Sequence, residues 1–378
     1  LLAHLTWVGD NVGSSSGQYY TVQNNIDVSD ITNWNGGAGF APIGIYGVPF
    51  MGTFDGNGMV ISNLVINRPG EDYVGFFGYV GRSGSVRNLG ISGGAVTGNN
   101  SVGGLAGFNY STVSGCYATG TVAGNNSVGG LVGWNEGNSS VVSNCHATGE
   151  VTGTGNNVGG LVGFTDMGST VTESYATGAV TGSGNDTGGL IGWHNGAVLG
   201  SHATGTVAGV NMVGGLVGGN SYGTVSNCYA TGTAAGSGDS VGGLVGEQTG
   251  AVISRCHATG AATGNAYVGG LVGYTSNGSR VLNSYATGTV TGGDVIGGLA
   301  GFNGATVSVC YAVGPVIGSS NAGGLVGYGA GTVSSSYWDT QTSGKAASAG
   351  GAGRTTAQMK QQATFVGWDF TAVWRITE

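Results

Sequence analysis

The sequence predicts an all-β fold: a parallel β-solenoid of about ten or more coils, with roughly 28 residues per coil and capped ends. Three observations predict it. First, Gly-Gly-Leu-Val-Gly recurs along the chain, with its leucine at Leu105, Leu131, Leu161, Leu190, Leu216, Leu244, Leu271, Leu299 and Leu325. Second, the steps between these leucines are 26, 30, 29, 26, 28, 27, 28 and 26, so constant strands alternate with turns of variable length. Third, glycine supplies 84 of 378 residues, while 40% of residues are apolar and 7% charged. Glycine at that level without a triplet repeat or much proline excludes collagen. Val, Leu, Tyr and Trp at fixed places exclude simple disorder. Short alternating segments rich in glycine and β-branched residues exclude helical repeats.

Residues 1–70 read as N-terminal capping and entry coils, because they are less repetitive and hold Trp7, Tyr19, Tyr20, Trp34 and Phe40. Residues 71–337 hold the repeats, opening on Val74–Gly78, a degenerate copy in which Phe76 and Phe77 replace the Leu-Val pair. Residues 338–378 leave the repeat as a C-terminal cap. There, Thr355-Thr356 followed by 357–362 predicts one short helix capped by a hydroxyl. Open coil ends expose unpaired backbone, so each terminus is either a cap or a head-to-tail docking surface.

Within a coil, Cys116, Ala118, Gly120 and Val122 alternate with polar neighbours and share an inward face. The first of these positions is Cys116, Cys145, Cys228, Cys256 or Cys310 in some coils and Ser174, Ser201, Ser284 or Ser336 in others. That exchange favours small core residues, although Cys116/Cys145 and Cys228/Cys256 are neighbours that could be bridged. The opposite face carries Tyr117, His146, Tyr175, His202, Tyr229, His257 and Tyr285, then Tyr311 and Tyr337. Such a column either stabilises the sheet through neighbour contacts or offers a sugar- or surface-binding face. After each Leu-Val pair a second aromatic column runs through Phe108, Trp134, Phe164, Trp193, Tyr274, Phe302 and Tyr328, broken at Gly219 and Glu247. Either a corner turns this segment inward, or an apolar stripe faces outward and mediates self-association.

The net charge of −8 comes from 17 acidic and 9 basic residues with no Lys/Arg cluster, which argues against a nucleic-acid partner. No apolar run approaches the roughly 18–20 residues of a membrane span. No metal, phosphate or cofactor motif occurs, so no cofactor is expected, and the expectation is that the chain is not an enzyme. The weak catalytic candidate is Glu136, Asp166 and His194, each four or five residues after its leucine in consecutive coils. Stacking would bring them within reach for acid–base work. Acids and amides are ordinary turn residues, however, and no Lys or Arg stands nearby. A threonine column (Thr119, Thr148, Thr177, Thr204, Thr231, Thr259, Thr287) raises ice binding as a rival, weakened because its neighbouring column mixes Thr121 and Thr206 with Glu150, Ala179 and Pro315.

The Gly-Gly-Leu-Val-Gly repeats resemble the bacterial GLUG-motif repeat proteins. So do the entry Phe50-Met51-Gly52-Thr53-Phe54-Asp55-Gly56-Asn57-Gly58, the exit Ser336-Tyr337-Trp338-Asp339 and the closing 365–370 with Trp374. The resemblance implies a right-handed β-helix from large secreted surface proteins, including filamentous-haemagglutinin-like adhesins and regions attached to immunoglobulin-A-protease-type peptidases. It carries no catalytic residues. The expected function is an extracellular or cell-surface structural element: an adhesin shaft or a self-associating filament subunit, with a surface glycan or host-surface ligand as further partner. Its rivals are a glycan-binding or glycan-cleaving β-helix and an ice-binding protein.

Overall fold

The computed structural model describes residues 2–276 and 278–375. The chain is a parallel β-solenoid of about ten coils. One coil contains five short strands: Val102–Gly103, Ala106–Asn109, Thr112–Ser114, Tyr117–Ala118 and Thr121–Gly124. Each pairs in parallel with its equivalents in the adjacent coils, giving sheets of nine, ten, twelve, thirteen and ten strands respectively. The first sheet stays in register through Val102, Val128, Val158, Thr187, Val213, Val241, Val268, Ile296 and Ala322. Those steps equal the leucine steps, so every insertion sits in a turn.

Two corners of the coil use left-handed backbone. One precedes the Val-Gly strand (Ser127 φ 53°, Asn157 φ 62°, Asp186 φ 62°), the other precedes the Cys/Ser position (Gly115 φ 59°, Asn144 φ 52°, Asn227 φ 53°). Gly and Asn tolerate that region best, which is why they recur at the second corner. Two further glycines are fixed by close approach. A Cβ on Gly149 would stand 1.9 Å from the Gly120 carbonyl oxygen, and Gly178, Gly205 and Gly232 repeat the contact at 1.9–2.0 Å. A Cβ on Gly129 would stand 2.1 Å from the Val132 carbonyl oxygen, so the Val-Gly strand lies directly against the backbone of the strand that follows. The bend at Gly130–Leu131 therefore resolves the two readings of the segment. Leu131 and Val132 are both buried, whereas Trp134 remains half-exposed.

The core is the leucine ladder, with all nine repeat leucines fully buried, lined by Val113, Val142 and their equivalents. All five cysteines are buried free thiols. Their exchange with serine has a bonding cause: Cys116 Sγ donates to the Ser114 carbonyl at 3.3 Å, and Ser174 Oγ donates to the Thr172 carbonyl at 2.8 Å. The same short loop closes with either residue.

Both ends are covered by chain outside the repeat. The helix Leu2–Asp10, which the sequence reading did not anticipate, buries Leu5 and Val8. Phe50, Phe54, Phe76 and Phe77 fill the entry coils with ring centroids 5.0–6.4 Å apart. At the other end, Gly324 N–H donates to the Ala347 carbonyl and Ser348 Oγ accepts from Val326 N–H, so residues 347–352 pair with the last coil. Among the described residues, the C-terminal segment holds two short α-helices and a 3-10 turn, Gln362–Thr364, where one short helix was expected. Thr356–Met359 has the Thr355 cap in a capping box with Gln358, and Thr340–Ser343 is capped by Asp339. Among the described residues, no helix is long and apolar enough to cross a membrane.

Candidate functional surfaces

Glu136, Asp166 and His194 do not form one group. The register aligns Asn135, Thr165 and His194 on one column, which places Glu136 and Asp166 one residue beyond it. Glu136 is half-buried, and its carboxyl is raised above the usual range by burial and then by Asp166, with Arg82 acting against them. A basic side chain thus does stand near this group, contrary to the sequence expectation. His194 lies inside the wall, fully buried, and burial lowers its pKa to about 4. Its Nδ1 pairs with Thr165 Oγ1 at 2.7 Å, so it has no path to the two carboxylates outside. The single-residue difference in spacing after the leucine, four against five, was the signal that they differ in side.

His194 belongs instead to a buried polar column that sequence reasoning missed: Asn109, Asn135, Thr165, His194, Asn220, Gln248, Thr275 and Asn303, all at most 2% exposed. Some of these side chains bond along the column, as Asn109 to Asn135, Thr165 to His194 and Thr275 to Asn303 do, whereas neither amide atom of Asn220 has a partner. Asn109 Nδ2 donates to Asn135 Oδ1 at 2.7 Å and to the Ser111 carbonyl at 3.0 Å. A polar residue one step after each aromatic position was the available signal, and it reads as turn chemistry unless the coil is known to continue inward there.

The Tyr/His column is a continuous stack. From Tyr117 through His146, Tyr175, His202, Tyr229, His257 and Tyr285 to Tyr311, successive centroids lie 4.6–5.1 Å apart at interplanar angles of 1–9°. Ring faces are consumed by ring faces, and what meets solvent is ring edges with their hydroxyl and nitrogen tips. A sugar cannot lie flat on this column between its ends. Burial lowers the pKa of His146, His202 and His257, which favours their neutral form. Tyr337 leaves the stack and packs against Phe365 and Trp368.

The second column is irregular. Phe108 and Trp134 meet at 51°, Trp134 and Phe164 at 63°, Tyr274 and Phe302 at 10°, Phe302 and Tyr328 at 46°. Exposure rises along it from 3% at Phe108 to 57% at Tyr328, with Trp134, Phe164, Trp193, Tyr274 and Phe302 half-buried. At the break, Trp193 lies over Gly219, where a Cβ would stand 2.5 Å from the indole and 2.6 Å from Asp186 Oδ1. Asp186 is 6% exposed and its Oδ1 has no hydrogen-bond partner. Burial, with Glu247 nearby, raises its pKa to about 7. Asp186 did not stand out in the sequence, because it reads as a turn residue, whereas Glu247 was visible only as a break in the aromatic column.

Where the C-terminal segment crosses the end of the Tyr/His stack it leaves a cleft of about 420 Å³, walled by His257, Tyr285 and Tyr311 on one side and Trp374 and Arg375 on the other. Among the described residues no group of three His, Cys, Asp or Glu could hold a metal ion.

Five segments of the chain, 98–123, 124–152, 209–235, 237–263 and 264–291, match the GLUG motif. The chain thus carries GLUG repeats, in agreement with the resemblance seen in its sequence. It is 41% identical over 113 residues to halomucin of Haloquadratum walsbyi, and 39% identical over 116 residues to a provisionally named Gly-rich membrane protein of Evansella cellulosilytica. Each match covers 29% of this chain, but only 1% and 13% of those two proteins. A solved structure from Bacteroides ovatus, provisionally described as an immunoglobulin A1 protease, aligns over 95% of this chain and 85% of that one at 18% identity, with a TM-score of 0.30.

Proposed function

We propose that this chain is a rigid cell-surface shaft, structural or adhesive rather than catalytic, that associates side by side with copies of itself through the irregular aromatic column. The observation that carries the reading is the continuous register from Phe108 to Tyr328, which sets half-exposed rings at Trp134, Phe164, Trp193, Tyr274 and Phe302 on one side of the ladder, interrupted at Gly219 and Glu247. A weak contact repeated every coil becomes a strong one, and the low charge of the chain leaves little to repel a second copy. Because residues 347–352 pair with part of the last coil and the N-terminal helix packs on the entry coils, leaving only short edges such as Thr332–Ser334 open, lateral contact is favoured over head-to-tail growth. The names halomucin and Gly-rich membrane protein support a surface setting. Sedimentation with negative-stain microscopy tests the reading, on the intact chain and on a Trp134→Glu, Phe164→Glu double variant. Concentration-dependent bundles or small oligomers that the double variant loses are expected. A chain that stays monomeric at high concentration contradicts self-association.

A further inference from the structure

Arginine is scarce in this acidic chain, and where it sits is informative. Of the 9 basic residues, Arg255 and Arg375 line the cleft at the C-terminal end of the Tyr/His stack, and among the described residues no Asp or Glu lines it with them. The ion pairs among the described residues are Arg68–Glu71 and Arg87–Asp55, both in the entry coils, so neither cleft arginine is neutralised by a described carboxylate. Both guanidinium side chains are exposed. Glu173 shares the corner ladder of Arg255 but stands three coils away, through Gly200 and Asn227. A local excess of positive charge on a molecule of net charge −8 is a specific feature, not an average one.

The other walls supply what a saccharide needs. Tyr285 and His257 stack at 4.8 Å and 2°, which turns their polar edges toward the cleft side of the column. Trp374 does not continue the stack. It crosses it at 53° to Tyr285 and 57° to Tyr311 and packs on Trp368 at 4.4 Å, so only the half-exposed part of the indole that lines the cleft is open to a ligand. Asn283, at the next corner from Arg255, adds an amide donor and acceptor. The volume of about 420 Å³ falls in the range of small-ligand sites, roughly 300–1,000 Å³. Guanidinium groups bind carboxylate and sulfate oxygens through paired N–H donors, and an amphipathic ring beside them suits a molecule with one apolar face and a polar rim.

We propose that this cleft binds an acidic saccharide, with Arg255 and Arg375 holding its anionic group and Trp374 packing on its ring. The site is independent of the lateral contact proposed above, since it lies on the other aromatic column. Isothermal titration of the full chain at low salt tests it, with an oligogalacturonate, a sulfated oligosaccharide and uncharged maltotetraose as probes. Binding of one or both acidic probes, weakened by added salt and absent for maltotetraose, is expected. Which acidic probe binds separates a carboxylate from a sulfate source. An Arg255→Asn, Arg375→Gln double variant should lose roughly tenfold or more in affinity. Asparagine already occupies the Arg255 corner in other coils, at Asn144, Asn227 and Asn283, so the fold accommodates the change. Binding of neither acidic probe at millimolar concentration, equal binding of maltotetraose, or unchanged affinity in the double variant overturns the proposal.

Discussion

Two aromatic columns run the length of the same solenoid and obey the same register, yet they differ in kind. In the Tyr/His column, neighbouring rings lie within 9° of parallel from Tyr117 to Tyr311. In the Phe108–Tyr328 column, neighbours meet at angles up to 63°, and the run breaks at Gly219 and Glu247. Register alone, then, does not make a stack. The first column stands on a strand whose other face is the small core position Ala118, repeated almost without change, so the backbone under each ring is the same. The second stands on a strand pressed against another backbone by glycine, with a buried polar side chain of varying size after each ring. Rings over a varied floor tilt to fill space, and tilted, half-exposed rings are available to a second surface. Regularity goes with the column whose ring faces are covered by each other, and irregularity with the one proposed above as the contact surface.

The leucine ladder beneath both columns sets the scale. Leu216→Ala should cost about 2–5 kcal/mol in chemical denaturation and lower the cooperativity of neither column selectively. A loss under about half a kcal/mol would mean that the ladder is not the shared core.

Titration sharpens the comparison next, because the largest burial shifts of an acid and a histidine, at Asp186 and His194, lie beside the irregular column. Asp186 has a pKa raised from 3.8 to about 7, so its contribution to stability is full below about pH 4 and is lost as pH rises through about 7. His194 is lowered from 6.5 to about 4, so its contribution is present above about pH 6.5 and is lost as pH falls through about 4. The two slopes oppose each other in the intact chain and must be separated by variants. Asp186→Asn should gain stability over the intact chain progressively between pH 4 and 7, by on the order of a few kcal/mol. His194→Asn, which installs the residue found at Asn135 and Asn220, should gain as pH falls from 6.5 toward 4. Denaturation midpoints measured across pH decide both, and flat differences would place these groups in water.

Removing one ring from the regular stack breaks two parallel contacts. Tyr229→Ala loses its pairs with His202 and His257 and should cost about 1–3 kcal/mol. The smallest effect is expected inside the core of the same strands. Cys256→Ser should change stability by less than about 1 kcal/mol, because serine at the equivalent Ser284 makes the same bond to the carbonyl two residues earlier. Mass spectrometry of unreduced, alkylated protein should find Cys116, Cys145, Cys228, Cys256 and Cys310 all modifiable after unfolding. A Cys228–Cys256 bridge would contradict the free-thiol core.

The solenoid itself was legible from leucine spacing, because a parallel ladder needs equivalent residues one coil apart and nothing else fixes that period. Inward and outward faces were legible where strict alternation held, as from Cys116 to Ala118. They were not legible where Gly130–Leu131 bends and two successive apolar residues are both covered. The stacking of Tyr117 to Tyr311 follows from register, but the consequence that it hides the ring faces needed the interplanar angles. The His194 position was misread because a one-residue change in spacing moves a side chain across the wall. The cleft at Arg255 and Arg375 joins residues 120 positions apart through the path of the C-terminal segment, and no pattern within the repeat encodes that path.

The division between the columns is tested most directly by two single variants measured side by side for unfolding midpoint and for sedimentation. Glu247 already occupies the irregular column, so Phe164→Glu places there a side chain that the geometry accepts. The account predicts that Tyr229→Ala unfolds at lower denaturant yet assembles as the intact chain does, while Phe164→Glu keeps its unfolding midpoint and loses assembly. If Tyr229→Ala abolishes assembly while Phe164→Glu leaves it intact, the regular stack is the contact surface and the account is wrong.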